Sequence, residues 1–148
     1  MKTVTFTQFV NENPWKSQII GVGRSEVQSK LGQPTDHGWQ NDFLFKFGDI
    51  EVGFAESGGA FYVQIDFTDG LKAIGTTQFP LGSWPIKGGM ELSEIEDILK
   101  GCGCEFTLSQ PEINPDMDEI HTESGLIFSF AKPNAEFSGR GLINLRTS

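Results

Sequence analysis

Hydrophobic and polar residues alternate with period two along three consecutive runs of the chain. Phe43, Phe45 and Phe47 interleave with Leu44 and Lys46; Ile50, Val52 and Phe54 with Glu51 and Gly53; and Phe61, Val63, Ile65 and Phe67 with Tyr62, Gln64 and Asp66. Gly48-Asp49 and Ser57-Gly58-Gly59 separate the runs. Period two sends successive side chains to opposite faces of a strand, and short glycine-containing turns join antiparallel neighbours. The pattern therefore predicts an antiparallel meander with one buried and one wet face. Helical spacing precedes it. Phe6, Phe9 and Val10 predict a short helix within residues 5–15, stopped by Pro14. Ser25-Glu26-Val27-Gln28 reads as a capping box, Val27 and Leu31 share a face, and Gly32 and Pro34 end that second helix.

The same order returns later in the chain. Ser93-Glu94-Ile95-Glu96 is a second capping box, followed by Ile95, Ile98 and Leu99 on one face. Ser25/Ser93, Val27/Ile95 and Leu31/Leu99 match at a constant offset of 68. The turn and strand of residues 48–54 are echoed by residues 124–130 at an offset of 76, and Leu142, Ile143 and Leu145 take the place of residues 63–67. Recurrence of helix, turn and strand in one order is the mark of an internal repeat. The predicted fold class is α+β: two similar helix-plus-antiparallel-meander modules forming one compact, curved-sheet domain over 1–148. An N-terminal helical segment occupies 1–21, the first module 22–67, a connector 68–87 and the second module 88–148. The connector is rich in Gly, Pro and Thr, with room for one short strand over residues 72–77.

Charge sharpens this division. Of the 20 Asp and Glu in 148 residues, ten lie within residues 88–123, against one base, Lys100; that segment accounts for the whole net charge of −9. Such a balance disfavours nonspecific binding to nucleic acid or an anionic membrane, which calls for a basic surface. Apolar residues are only 37% of the chain, but 13 Phe and 3 Trp supply enough area for a core. No signal-peptide pattern opens the sequence and no stretch has the length of a membrane span, which predicts a cytoplasmic protein with reduced thiols.

Catalytic chemistry is sparse. His37 and His121 read as a solvated loop residue and a surface residue at the start of a strand. Cys102-Gly103-Cys104 supplies two thiols without partners to complete a metal site, beside a helix end. Asn114, Asp116 and Asp118 have alternate spacing but lack the glycine and distal glutamate of a calcium loop. No nucleophile elbow or phosphate-binding glycine loop occurs. The expectation is a non-enzymatic protein with no catalytic residue, metal or cofactor. Trp15, Trp39 and Trp84 stand in irregular segments, as core residues under loops or as aromatic anchors for a partner. Thr122, Ser129 and Asn144 are expected to point away from the core and line a groove.

The string Gly23-Arg24-Ser25-Glu26-Val27-Gln28-Ser29-Lys30-Leu31-Gly32-Gln33-Pro34 resembles the opening of a superfamily of small helix-plus-meander modules. These include the beta-lactamase-inhibitor-protein fold and the small outer-membrane assembly lipoproteins. The Phe47-Gly48-Asp49-Ile50-Glu51 and Thr122-Glu123-Ser124-Gly125 turns are similar to those of a group of uncharacterised small bacterial proteins, some of which are regarded as immunity proteins. The chain departs from the lipoproteins in lacking a lipidated cysteine, and from the secreted inhibitors in lacking their disulfides. The resemblance implies a joined, concave sheet used for binding. Together with the localised acidity it predicts a monomeric immunity-type protein that neutralises a basic toxin domain. The expected contacts are Glu94, Asp97, Glu112, Asp116, Asp118 and Glu119. Two rivals remain: a small ligand-binding protein or enzyme with a pocket between the two sheets, and a structural unit pairing with itself through sheet edges.

Overall fold

A computed structural model describes residues 3–37, 43–67, 73–132 and 141–148. Three short helices open the chain: α1 (Phe6–Glu12), α2 (Pro14–Gln18) and α3 (Arg24–Leu31). Thr5 caps α1 in a reciprocal box. Its hydroxyl accepts from the Gln8 N–H at 3.1 Å, and the Gln8 side chain accepts from the Thr5 N–H at 3.0 Å. Pro14 ends α1, as its spacing predicts, but it also begins α2. Proline at a first helical position loses no needed donor and has its φ already set. Asn13, left-handed at φ 46°, stands between the two helices and is 1% exposed. Its amide donates to the Ser124 carbonyl at 3.1 Å and the Thr147 hydroxyl at 3.0 Å, tying the helical N-terminus to the far end of the chain.

Both predicted serine caps are displaced. Gly23 is the N-cap of α3 and makes no side-chain cap bond, so Ser25 lies inside the helix. The N-cap of α4 (Leu92–Gly101) is Glu91, whose N–H donates to the Glu94 carboxylate at 3.1 Å. Residues 73–77 form no strand; the described connector holds a single 3₁₀ turn, Leu81–Ser83.

The strands are β1 (Asp36–His37), β2 (Leu44–Phe47), β3 (Ile50–Phe54), β4 (Ala60–Asp66), β5 (Phe106–Ser109), β6 (Met117–Thr122), β7 (Ile127–Ala131) and β8 (Gly141–Thr147). They form one eight-stranded sheet in the order β1-β2-β3-β4-β8-β7-β6-β5, every neighbour antiparallel. The fold is α+β, and the sheet is continuous rather than two separate sheets. β4 meets β8 at its middle, where Val63 faces Thr147 and Ile65 faces Leu145. The sequence reading has three strands in each half; β1 and β5 add a fourth to each. His37 belongs to β1 rather than a loop, and His121 lies near the end of β6 rather than at the start of a strand.

Alternation within this register puts Phe45, Phe47, Ile50, Val52, Val63, Ile65, Ile120, Phe128 and Leu145 on one face, all buried. The buried sides of the four helices complete the same core. Trp15 and Trp84, 0% and 3% exposed, are core residues and not anchors. Their rings lie 4.7 and 4.8 Å from Phe9, in a cluster with Phe6 and Phe79. Trp39 lies outside the described residues. Among the described residues no helix is long and apolar enough to cross a membrane.

Candidate binding surface

The other face of the sheet carries the polar half of each alternation. Across the β4–β8 junction these side chains form one hydrogen-bonded chain. Glu51 on β3 accepts from the Tyr62 hydroxyl at 2.8 Å and from the Gln64 amide at 2.6 Å, both on β4. Gln64 accepts from Asn144 on β8 at 3.3 Å. Arg146, also on β8, donates to Ser129 at 2.6 Å, Asn144 at 3.3 Å and Glu119 at 2.8 Å. His121 Nε2 lies 2.8 Å from the other Glu119 oxygen. Five adjacent strands thus share one network. Such connected groups rigidify a surface because each partner fixes the next.

Two local features make the network possible. Tyr62 stands opposite Gly53, and a Cβ on Gly53 would fall 1.9 Å from the tyrosine ring. The glycine leaves the room in which the ring lies flat across the strand and its hydroxyl reaches Glu51. Burial, the hydrogen bond to Glu51 and the charge of Glu51 together push the Tyr62 phenol well above its ordinary range. On β6, burial opposes ionisation of Glu119, but the hydrogen bonds and charges of Arg146 and His121 outweigh it. The carboxyl is held below the usual range.

The six predicted contact residues do not share one face. Glu94 and Asp97 are exposed on α4, three apart and therefore on one side of the helix. Glu112 is exposed in the connection between β5 and β6. Asp116 is half-buried there; its N–H donates to the Asn114 side chain at 3.3 Å and its carbonyl accepts from the Lys132 N–H at 2.9 Å. Asp118 shares the helix-side parity of Ile120. It lines an open depression of about 520 Å³ with Glu91, Leu92 and Lys132, and its carboxylate lies 3.9 Å from the Lys132 ammonium. Glu119 has the opposite parity, is 8% exposed, and spends its charge on Arg146. Ser129 and Asn144 point away from the core as expected, although Ser129 is wholly covered. Thr122 does not: it is buried on the core side and accepts from the Leu126 N–H at 2.9 Å.

Glu51, Tyr62, Gln64 and Arg146 were not singled out in the sequence. Their polar positions in the alternation were the available signal, but the β4–β8 register that joins them was not readable from it. Both thiols are free. Cys102 is half-buried with the Thr7 hydroxyl 3.5 Å from its sulfur, while burial, Cys102 and Glu105 push the buried Cys104 thiol up. Among the described residues no group of three His, Cys, Asp or Glu side chains could hold a metal ion.

The chain has no match among protein-family models, and no significant match among curated proteins or solved structures.

Proposed function

We propose that this is a non-enzymatic, cytoplasmic protein of the immunity type, built from two helix-plus-meander modules, which binds a basic toxin domain through its second half. Several features support the repeat. α3 and α4 begin 68 residues apart, each precedes four strands, and the sheet order reads outward from the β4–β8 seam in mirrored sequence. The resemblance to tandem inhibitor modules supports a binding role for such a sheet.

The observation that carries the reading is the excess of acids on α4 and the β5–β6 connection over cations to match them. Among the described residues, the ion pairs in this region are Asp118 with Lys132 and Glu119 with Arg146 and His121. Glu94, Asp97 and Glu112 remain exposed. An excess of one sign within one half of a molecule speeds encounter with a partner of the other sign and selects against wrong partners. Glu94 also supports the start of α4, and Glu119 organises the sheet face, so neither acts as a simple point of contact. The binding surface is open, and a stable complex would bury on the order of 1,200–2,000 Å² in total.

The test begins with capture of a basic partner from a lysate of the native cell. Association is then compared for the wild type and a variant carrying Asp97→Asn, Glu112→Ser, Asp116→Asn and Asp118→Asn. Slower association with a shallower salt dependence is expected. Unchanged affinity and unchanged salt dependence would contradict the reading.

A further inference from the structure

β5 ends the sheet, and among the described residues no strand pairs with its outer side. Its inner ladder fixes which groups are free. The Glu123 N–H donates to the Glu105 carbonyl at 2.9 Å, and the register continues with Phe106 opposite Thr122 and Thr107 opposite His121. In an antiparallel pair, hydrogen-bonded positions alternate with non-bonded ones. Residues 105, 107 and 109 therefore point their backbone groups at β6. Phe106 and Leu108 point theirs outward: two N–H donors and two carbonyl acceptors, spaced as a strand requires. Leu108 is 57% exposed, an apolar side chain left at the rim. Edges of this kind template the addition of another strand unless they are covered or guarded by charge.

The charge around this edge is negative. Glu105 and Glu123 lie at one end, and hydrogen bonding to Glu105, its charge and burial push the Glu123 carboxyl up. Among the described residues no Lys or Arg lies within salt-bridge distance of either. Beyond the other end of β5 come Glu112, Asp116 and Asp118. An open depression of about 400 Å³ flanks the strand beside Glu105, Thr107, His121 and Glu123, and another of about 380 Å³ lies beside Leu108, Leu92 and Asp118.

We infer that the outer edge of β5 receives an extended, lysine- or arginine-bearing strand of the partner protein, which adds to the sheet as a ninth strand. Main-chain bonds to Phe106 and Leu108 supply the pairing. Cations on the incoming strand relieve the repulsion between Glu105 and Glu123, and an apolar residue covers Leu108. A second copy is the disfavoured occupant, because edge-to-edge pairing would set one acidic rim against another. The inference rests on the acidic-surface reading and names the element that docks.

The probe is a synthetic peptide alternating lysine and valine over seven residues, beside the same peptide N-methylated at every internal residue. Both have the same charge, but only the first can form a strand ladder. Titration and amide hydrogen exchange of the full chain are measured together. We expect the unmethylated peptide to bind at least tenfold more tightly and to protect the amides of Phe106 and Leu108. Glu105→Gln with Glu123→Gln should weaken that binding and flatten its salt dependence. Equal binding of the two peptides, weakened alike by these substitutions, would overturn strand addition and leave the acidic surface standing. Failure of both peptides to bind would overturn both readings. A doubling of mass without peptide, lost on substituting Leu108→Lys, would assign the edge to self-pairing instead.

Discussion

In the first half of the sheet, β3 and β4 set Glu51, Tyr62 and Gln64 on the polar face, where the Glu51 carboxylate receives two neutral donors. In the second half, Glu119 meets two basic groups, Arg146 and His121. Total charge alone does not separate the halves: residues 22–67 hold seven acids and three bases, and residues 88–148 hold eleven and four. The difference lies in what the acids touch. Among the described residues of the second half, Arg146 and Lys132 pair with Glu119 and Asp118, which leaves Lys100 as the base on α4 beside its exposed acids. Glu105 and Glu123 even lean on each other. The polar-face carboxylate Glu51 is thus met by neutral donors in the first half, and Glu119 by cations in the second.

The comparison breaks first at the seam. Leu145 is wholly buried between Ile65 of β4 and Phe128 of β7. Leu145→Ala should cost about 2–5 kcal/mol, as large-to-small core changes do. Because the core is shared, urea unfolding should remain a single transition at a lower midpoint; two separated transitions would mean that the halves fold independently. Gly53→Ala acts on the first half alone. Its methyl group collides with the Tyr62 ring, so the ring must leave Glu51, at about 1–3 kcal/mol for overpacking. Thermal unfolding measures the cost, and the acid sensitivity described next should be unaffected.

Arg146→Met tests the second half. It leaves the nearly buried Glu119 with His121 as its remaining basic partner, which should destabilise the protein by about 1–3 kcal/mol at neutral pH. The sign with pH follows from the lowered carboxyl. Stability from the Arg146–Glu119 pair is present above the unfolded carboxylate value of about 4.3 and is lost as pH falls through the folded value. Wild-type and variant urea midpoints should therefore differ most near neutrality and converge as pH falls from the unfolded carboxylate value through the lowered folded one. The smallest effect is expected from Glu123→Gln. A raised carboxyl favours the folded state at low pH and opposes it as pH rises through the folded value. Removing that charge should raise the melting temperature slightly at neutral pH and not at acid pH.

How much of this was legible beforehand varies along the chain. β2, β3 and β4 were readable because Phe, Val and Ile alternate there with polar residues and glycine turns. β6 was not: Glu119 and Thr122 are both buried, one by an ion pair and one by a hydrogen-bonded turn, so polarity no longer reports exposure. β5 was hidden for the opposite reason, because Leu108 at the edge stays exposed. Serines mark helix starts in a sequence, but the true caps here are Gly23 and Glu91. For the surface, the acids of residues 88–123 were visible as a count. Which face each takes depends on strand parity, and the partner that removes Glu119 from the patch, Arg146, comes 27 residues later from a strand on the far side of β7.

The most direct measurement is amide hydrogen exchange of the full chain, alone and saturated with the basic partner captured from the native cell. Protection should rise along α4, the β5–β6 connection and the outward amides of β5, with β2 and β3 unchanged. Protection centred on β2 and β3, with α4 and β5 unaffected, would contradict the assignment of binding to the acidic half.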